Sequence, residues 1–554
     1  MTARPQAAIV FAGNNFDTSG SLVGRQSASA GFLAGYLRHG GAEEYACLAS
    51  SPGEIEGFRG FVAAHAPPGT RARGLLPTAF AEIARLGTLY RPGPDIGFYA
   101  WLRRGIDQRA FSVVGVNHTL SDVAAAEAVG RLLTAPVQPW DALVCASRAS
   151  RDVVQRMLDE YAAYFSRLCG ATIPARARLP VIPLGVDCDA FRPPEGPGAA
   201  RARARAALGV AEDEVALLYF GRFSHTMKAN PLPMYLAAEQ AAQEAGRRLR
   251  LIEAGWFASA EMERGFAQAA SLLAPSVPRL VLDGREGPAR QAWFAADIFL
   301  SFPDNVQESF GLTPLEAMAA GLPQVVSDWD GYRDSVRDGI DGFRVPVASP
   351  PAGLGEAIAH LYAAGFGGHD LLCGAAAQST AVAVGAAAEA IARLALDPDL
   401  RRRMGEAARA RARASFDWSV VVAAYQDLWA DLAEVRRTAA EAAPREDGRA
   451  ARPLAMDPFA LFSGFATQAL APDTRLRLTV GVEPAVARGM LRLPVAAPVP
   501  FLLLGEEALG ELVARLARGE TRVADLLAAL PEERRHAGWL TVGWLAKTGL
   551  VSWE

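Results

Sequence analysis

Short apolar runs alternate with helical stretches along most of this chain, and this alternation is what most restricts its fold. Up to about residue 195, the strand-like runs are residues 8–11, 113–116, 142–145 and 180–183. Such runs, separated by helical stretches, predict parallel strands joined by crossover helices. The first part of the chain is therefore expected to form a parallel sheet that is covered by helices.

A second alternation follows a connector at residues 184–193, which is rich in turn residues. Its predicted strands are residues 215–220, 249–253, 279–282, 298–302 and 324–327, and its predicted helices are residues 201–208, 231–245, 387–396, 398–412 and 418–436. At 554 residues, of which 51% are apolar, the chain is long enough for two or three domains.

Two carboxylates follow the predicted strand at residues 298–302. Glu308 lies on the loop and Glu316 in the first turn of a short helix, for which Thr313 is the predicted N-cap and Gly321 the predicted C-terminal stop. Ligands of open α/β sheets bind at the carboxyl ends of strands, beside helix N-termini. Both acids are candidate ligand-binding residues, although Thr313 and Glu316 also fit a capping box, which would make Glu316 structural.

Two cations follow another predicted strand, at residues 215–220. Arg222 and Lys228 lie between the end of this strand and a helix that starts near residue 231. A guanidinium and an ammonium at a strand's carboxyl end suit the oxygens of a diphosphate. Taken alone, either cation would be interpreted as a solvated loop charge.

The block at residues 308–328 resembles the paired-glutamate signature of the family-4 retaining glycosyltransferases of the GT-B fold. The resemblance continues through residues 330–333 and 338–343 and covers roughly residues 7–435. It implies two facing Rossmann-like domains: residues 1–195 on the acceptor side, and residues 196–436, with closing helices, for the nucleotide sugar. The function that it implies is transfer of a sugar, with retention, from a nucleotide-sugar donor to an unidentified glycan, lipid-linked or protein acceptor.

The resemblance also implies roles for individual residues. Glu316 would bind the ribose hydroxyls and Glu308 the sugar hydroxyls, while Arg222 and Lys228 would hold the diphosphate and stabilise the leaving group. Glu308, Arg222 and Lys228 are thus expected to be both catalytic and donor-binding.

Three further donor-binding residues and one further catalytic residue follow from the same resemblance. Gly311 and Leu312 belong to the glutamate loop, and Gly20 to the small-residue loop after the first strand, which is otherwise an ordinary surface loop. His118 ends the run at residues 111–118 and would point into the cleft near the donor sugar. The alternative for His118 is a hydrogen-bonded structural histidine.

No metal and no cofactor are expected. Asp328 and Asp330 imitate the Asp-x-Asp metal motif, but they follow a predicted strand and are expected to shape a turn. The five cysteines and the histidines lack zinc-binding spacing. Two other functions stay open: a GT-B sugar-nucleotide epimerase, and a non-catalytic binding or scaffold protein.

The end of the chain is expected to be separate. Residues 437–455 resemble a charged, alanine-rich linker or a frayed helix end. Residues 456–554 resemble an α+β module with a weak winged-helix-like pattern. The module is expected either to bind a partner protein or acceptor, or to stabilise the other domains. Its balanced charges, and a net charge of −4 for the whole chain, predict no nucleic-acid partner.

The predicted location is the cytoplasm, because no apolar run reaches the length of a membrane span and no signal peptide is recognised. Residues 71–91 form a basic, partly amphipathic stretch. We expect a surface helix that packs on the first sheet. Peripheral contact with the inner membrane is the alternative.

Overall fold

The computed structural model describes residues 4–16, 24–193 and 195–554. It divides into two compact units, of which the first ends at Arg452 and the second runs from Pro453 to Glu554. The first unit contains both predicted sheets.

Within the described residues of the first half, six parallel strands form one sheet in the order β3-β2-β1-β4-β5-β6. The strands are β1 (Ala8–Val10), β2 (Glu44–Leu48), β3 (Arg71–Leu75), β4 (Thr88–Arg91), β5 (Ser112–Val116) and β6 (Ala142–Val144). The helices are α1 (Gly13–Phe16), α2 (Gly24–His39), α3 (Pro52–His65), α4 (Ile96–Arg104), α5 (Val123–Thr134) and α6 (Arg148–Cys169). This is the Rossmann order. The strands are all parallel, and the order in which the chain adds them to the sheet reverses between β1 and β4.

The helix predicted at residues 71–91 is wrong. This stretch forms β3, a 3₁₀ segment at Pro77–Arg85 and β4. Gly74 in β3 packs closely on α3. An added Cβ would lie 2.3 Å from Ile55 Cγ2, so this strand position requires a glycine. The strand predicted at residues 180–183 is also absent among the described strands. Val181 makes only an isolated parallel bridge to Cys145, the residue after β6, since the prolines on either side cannot donate to a ladder.

The described residues of the second half form a second six-stranded parallel sheet, in the order β12-β11-β10-β7-β8-β9. Its strands are β7 (Val215–Phe220), β8 (Leu249–Gly255), β9 (Arg279–Asp283), β10 (Ile298–Ser301), β11 (Gln324–Ser327) and β12 (Gly342–Val345), followed by a small antiparallel pair, β13 (Val347–Ala348) and β14 (Ala381–Val382). Its direction reverses between β10 and β7. The predicted α/β fold with two Rossmann-like sheets, the GT-B architecture, is confirmed.

Most helices of the second half lie against its sheet, whereas two lie in the segment between β13 and β14 and the last one packs on the first half. They are α7 (Pro197–Leu208), α8 (Leu232–Ala245), α9 (Ala260–Leu273), α10 (Gly287–Ala295), α11 (Thr313–Ala320), α12 (Tyr332–Ser335), α13 (Glu356–Ala363), α14 (Gly368–Ala377), α15 (Val384–Leu396), α16 (Pro398–Arg411) and α17 (Trp418–Thr438), with a 3₁₀ segment at Cys188–Phe191 and a π-helical turn at Ala412–Phe416. The buried face of α17 packs with Phe32, Tyr36 and Tyr90 in the core of the first half. One helix thus joins the two halves of the first unit.

The chain after α17 stays against the first half. Gln138 exchanges hydrogen bonds with the backbone of Ala442, each 2.8 Å long, and Arg104 Nη1 donates to Ala451 O at 2.7 Å. Residues 439–451 therefore form a docked segment within the first unit, whereas a linker was predicted there.

The second unit has its own core. A three-stranded antiparallel sheet, in the order β16-β15-β17, packs with helices around Leu476, Leu509 and Leu545. Its elements are α18 (Pro458–Leu461), β15 (Arg475–Leu478), α19 (Pro484–Leu491), α20 (Glu506–Leu516), β16 (Thr521–Arg522), α21 (Val523–Ala528), α22 (Arg535–Lys547) and β17 (Val551–Trp553), with 3₁₀ segments at Ser463–Phe465, Pro500–Leu502 and Glu532–Arg534. The unit is α+β; its winged-helix-like nature stays a prediction.

Candidate functional site

A cavity of about 350 Å³ lies where the two sheets meet. On the second sheet it is lined by the loops after β7, β8 and β10, including the point between β7 and β10 where the strand order reverses. Such a reversal leaves a crevice at the carboxyl ends of parallel strands. From the predicted set, the lining contains His118, Arg222, Lys228, Glu308, Gly311, Leu312 and Glu316. Gly20 lies outside the described residues.

Lys228 and Glu308 form an ion pair inside this cavity. Lys228 Nζ lies 3.1 Å from Glu308 Oε2, and the side chains are 28% and 11% exposed. Burial raises the pKa of the Glu308 carboxyl, but the Lys228 ammonium and the backbone N–H groups of Phe310 and Ser309 outweigh it and hold this pKa below its usual value. Glu308 is thus held as a carboxylate beside a cation.

Arg222 begins the loop after β7. Its guanidinium carbon lies 5.9 Å from the centroid of the Trp256 ring, and its backbone carbonyl accepts a hydrogen bond of 3.1 Å from the Tyr219 hydroxyl. Trp256 follows β8, so two neighbouring strand ends hold the guanidinium at the cavity wall.

Two buried residues after β10 hold the Lys228 loop. Asn305 Nδ2 donates to the backbone carbonyl of Lys228, and the Asn230 N–H donates to both Asp304 oxygens, at 3.3 and 3.4 Å. Burial raises the Asp304 pKa to about 7, although these hydrogen-bond donors oppose the rise. Sequence reasoning missed both residues; their position directly after a strand of the switch point is the signal that identifies them.

Glu316 is in a different environment. Helix α11 has Leu312 as its N-cap and no side-chain cap hydrogen bond, so the predicted N-cap at Thr313 and the capping box are wrong, whereas Gly321 ends the helix as predicted, with φ +77°. Burial raises the pKa of the Glu316 carboxyl to about 7, and the charge of Arg290 only partly opposes it. Because Glu316 does not cap the helix, its carboxyl group is available to the cavity that it lines.

The first half reaches the site through His118. The Ser309 hydroxyl donates to the backbone carbonyl of His118, and the Ser147 hydroxyl donates to the carbonyl of Ser309 at 2.9 Å. Gly24, at the start of α2, also lines the cavity. The loop of Glu308 is thus fastened to the strand ends of the first half.

Glycines at strand ends give the cavity its shape. An added Cβ on Gly255 would lie 1.8 Å from the carbonyl oxygen of Gly221, and one on Gly284 would lie 2.9 Å from Gly255 Cα. Gly311 has φ +85°, and an added Cβ there would lie 2.2 Å from the Tyr332 ring. Only glycine fits at these positions without moving backbone or ring.

Asp328 and Asp330 form a turn, as predicted. Asp330 has φ +43°, and Asp328 pairs with Arg344 at 3.2 Å. Burial and the nearby charge of Glu308 raise the Asp330 pKa to about 8. Among the residues that the structure describes, no group of three or more His, Cys, Asp or Glu side chains is arranged to hold a metal ion.

The sequence of the second half of the first unit matches a known family. Residues 214–364 match the family described as "Glycosyl transferases group 1". This region is similar to the group 1 glycosyltransferases. The match begins just before β7 and includes Arg222, Lys228, Glu308 and Glu316.

Relatives of known name extend the match. The D-inositol 3-phosphate glycosyltransferase of Geodermatophilus obscurus is 32% identical over 266 residues, which cover 46% of this chain and 54% of that protein. The enzyme of the same name from Mycobacterium tuberculosis is 32% identical over 286 residues, covering 49% and 55%. The chain spans about half the length of these relatives.

Solved structures are similar at low identity. Anabaena HepE in complex with UDP-glucose is 16% identical, with a TM-score of 0.48, over 77% of this chain and 99% of that one.

In the described part of this chain, no helix has the length and apolarity to cross a membrane.

Proposed function

We propose that this protein is a retaining glycosyltransferase that transfers a sugar from a nucleotide-sugar donor to a hydroxyl-bearing acceptor, without a metal ion. The observation that supports this most directly is the set of Arg222, Lys228 and Glu308 around one cavity at the switch point of the second sheet. Two cations there suit a diphosphate, and a charged carboxylate beside them suits sugar hydroxyls.

Each residue has a role in the proposed reaction. Arg222 and Lys228 bind the diphosphate and stabilise the negative charge that grows on it as the sugar leaves. When a donor binds, the Lys228 ammonium exchanges part of its contact with Glu308 for phosphate oxygens, which frees Glu308 to accept hydrogen bonds from the sugar. Glu316 accepts hydrogen bonds from the ribose hydroxyls.

Retention needs no protein nucleophile in this proposal. The acceptor hydroxyl attacks the anomeric carbon from the side that the diphosphate leaves, and a phosphate oxygen takes the hydroxyl proton. His118, Gly311 and Leu312 line the donor cavity, and His118 reaches it from the first half, to which we assign the acceptor. The names of the relatives make D-inositol 3-phosphate the first acceptor to test.

The remaining assignments are also proposals. The protein acts in the cytoplasm or at the periphery of the inner membrane. The second unit, from Pro453 onward, recognises a partner protein or, in a macromolecular acceptor, a part other than the hydroxyl that reacts. The domain boundaries at residues 195 and 436 belong with these proposals.

The test uses the full chain and a panel of UDP-, GDP- and ADP-sugars. Thermal shift identifies the donor, and a transfer assay with D-inositol 3-phosphate and other polyols follows free nucleotide and the anomeric configuration of the product by NMR. We expect a retained anomer, activity that survives a strong chelator, and a severe loss of transfer in Glu308→Gln while nucleotide binding persists.

Other outcomes separate the alternatives. An isomerised sugar nucleotide without free nucleotide would indicate the epimerase. An inverted product, or activity that chelator abolishes and manganese restores, would contradict the proposed mechanism. No shift with any nucleotide sugar would favour the scaffold.

A further inference from the structure

A helical segment projects between the last two strands of the second half. Strands β13 and β14 pair antiparallel, with Val347 opposite Val382, so the chain leaves and returns at one place. Residues 349–380 between them carry α13 and α14. We call these residues the clasp.

The clasp contacts the first half beside His118. His369 Nε2, on α14, lies 2.8 Å from Ser121 Oγ, and the Val123 N–H donates to the Tyr362 hydroxyl at 3.1 Å. Ser121 is three residues after His118, which lines the donor cavity. Ser121 Oγ also lies 3.8 Å from Cys373 Sγ on α14, so three contacts bind the loop that presents His118 to the clasp.

The same helix contacts the loop of Lys228. An added Cβ on Gly374 would lie 2.9 Å from Thr226 Cγ2, so α14 packs directly on Thr226. Thr226 is in a tight turn in which the Lys228 N–H donates to the Ser224 carbonyl at 3.0 Å. A shift of α14 at Gly374 would move this turn, and Lys228 with it.

Helix α14 is anchored by a buried side chain. Cys373 is fully buried, and its Sγ lies 3.4 Å from His369 Nε2. His369 and Gly374 are five residues apart, which corresponds to a rise of about 7.5 Å along a helix. A short, anchored stretch of one helix thus contacts the two loops that bring His118 and Lys228 to the cavity from opposite halves.

We propose that the clasp aligns the His118 loop with the Lys228 loop, and that Ser121, His369 and Gly374 are positioning residues for the transfer step. This inference rests on the proposed function. The Ser121–His369 contact holds the first half, and the absence of a side chain at Gly374 lets Thr226 approach. No residue of the clasp lines the donor cavity, so its loss should lower turnover and leave nucleotide binding intact.

The first experiment is a double-mutant cycle on the full chain. Ser121→Ala, His369→Ala and the double variant are compared with His360→Ala, an exposed histidine on α13. We expect each single variant to lower kcat about fivefold, and the double variant to lower it by less than the product of the two losses, since the variants share the Ser121–His369 contact. Kd for UDP, GDP or ADP should not change, and Ser121→Thr should restore kcat.

The second experiment compares two glycine variants. Gly374→Ala places a methyl against Thr226, whereas Gly385→Ala, on α15, meets nothing within 4 Å. Alanine favours a helix interior over glycine by about 1 kcal/mol, so neither variant should unfold the protein. We expect a lower kcat only for Gly374→Ala.

Hydrogen exchange of the wild type and of His369→Ala completes the test, and it needs no activity. Faster exchange at residues 118–123, absent in His360→Ala, supports the clasp. Unchanged exchange there overturns it, as do multiplicative losses in the double variant or equal losses in the controls. If the wild type transfers no sugar, the proposed function fails and the exchange result alone decides the clasp.

Discussion

Glu308 and Glu316 are eight positions apart and line one cavity. Even so, the pKa of the Glu308 carboxyl is lowered and that of the Glu316 carboxyl is raised. Lys228 and two backbone N–H groups stabilise the charge on Glu308. Glu316 has only the charge of Arg290 to oppose the effect of burial. Glu308 is therefore a charged hydrogen-bond acceptor at neutral pH, whereas Glu316 becomes a charged acceptor as its proton leaves.

Removing either cation should damage turnover more than folding. Arg222→Ala or Lys228→Ala is expected to lower kcat about 10²–10³-fold, by analogy with the loss of one donor from an oxyanion hole. Steady-state kinetics of the full chain measure this. Arg248→Ala, whose side chain is 65% exposed, is the matched control. Near-normal turnover in a folded double variant would contradict the diphosphate role.

The raised pKa of Glu316 makes a prediction about pH. A carboxyl with a folded pKa of about 7, against an ordinary 4.5, stabilises the fold at low pH, and this contribution is lost as pH rises between these values. Glu316→Gln stays neutral, so its Tm relative to the wild type should rise from pH 5 to pH 8. Asp304 and Asp330 are unchanged in both proteins and cancel in the comparison.

The same variant should bind nucleotide more weakly, most of all above pH 7, because an amide accepts hydrogen bonds from ribose hydroxyls less well than a carboxylate does. Isothermal titration at pH 6 and pH 8 measures both trends. Glu212→Gln, an exposed position, is the control. Unchanged affinity at pH 8 would contradict the ribose role.

At the scale of elements, the sequence was most informative where the apolar runs are continuous or periodic. The predicted strands at β5 to β11 and the helices α15 to α17 were found within a few residues, because their apolar runs are continuous or periodic. Strands β2 to β4 were missed: Glu44 and Arg71 are at strand ends with polar side chains, and β3 is an edge strand.

The site was predictable to a similar degree. The cations and the paired acids follow buried strands in a known pattern, and the structure brings them together. Asn305 and Trp256 were not predicted, because their importance comes from contacts with residues distant in sequence, Lys228 and Arg222. The contact between Ser121 and His369 spans 248 positions and has no local signal.

Gly255 tests how strand ends shape the cavity. Gly255→Ala would place a Cβ 1.8 Å from the Gly221 carbonyl, which must move the backbone before Arg222. We expect a destabilisation of about 1–3 kcal/mol and a loss of nucleotide affinity. Denaturant unfolding and titration measure the two effects. Gly265→Ala, on α9 with nothing within 4 Å, should keep its affinity.

At the scale of the whole molecule, the part of the chain that follows the second sheet returns to the first half and packs against it. Helix α17 packs in the core of the first half, and residues 439–451 continue along it. Gln138 is fully buried and Gln108 is 3% exposed, and both bond to this docked segment. Removing the segment would take these hydrogen bonds away, and each contributes about 0.5–1.5 kcal/mol to stability.

Truncation at two points separates the docked segment from the second unit. A chain that ends at Arg452 keeps every contact of the docked segment, so we expect it to keep the donor turnover and the nucleotide affinity of the full chain. A chain that ends at Thr438 loses the partners of Gln108 and Gln138 and should have a lower Tm. Transfer to a macromolecular acceptor should be lost in both if the second unit recognises it. Lost donor turnover in the chain that ends at Arg452 would instead assign the second unit a role in holding the catalytic unit together.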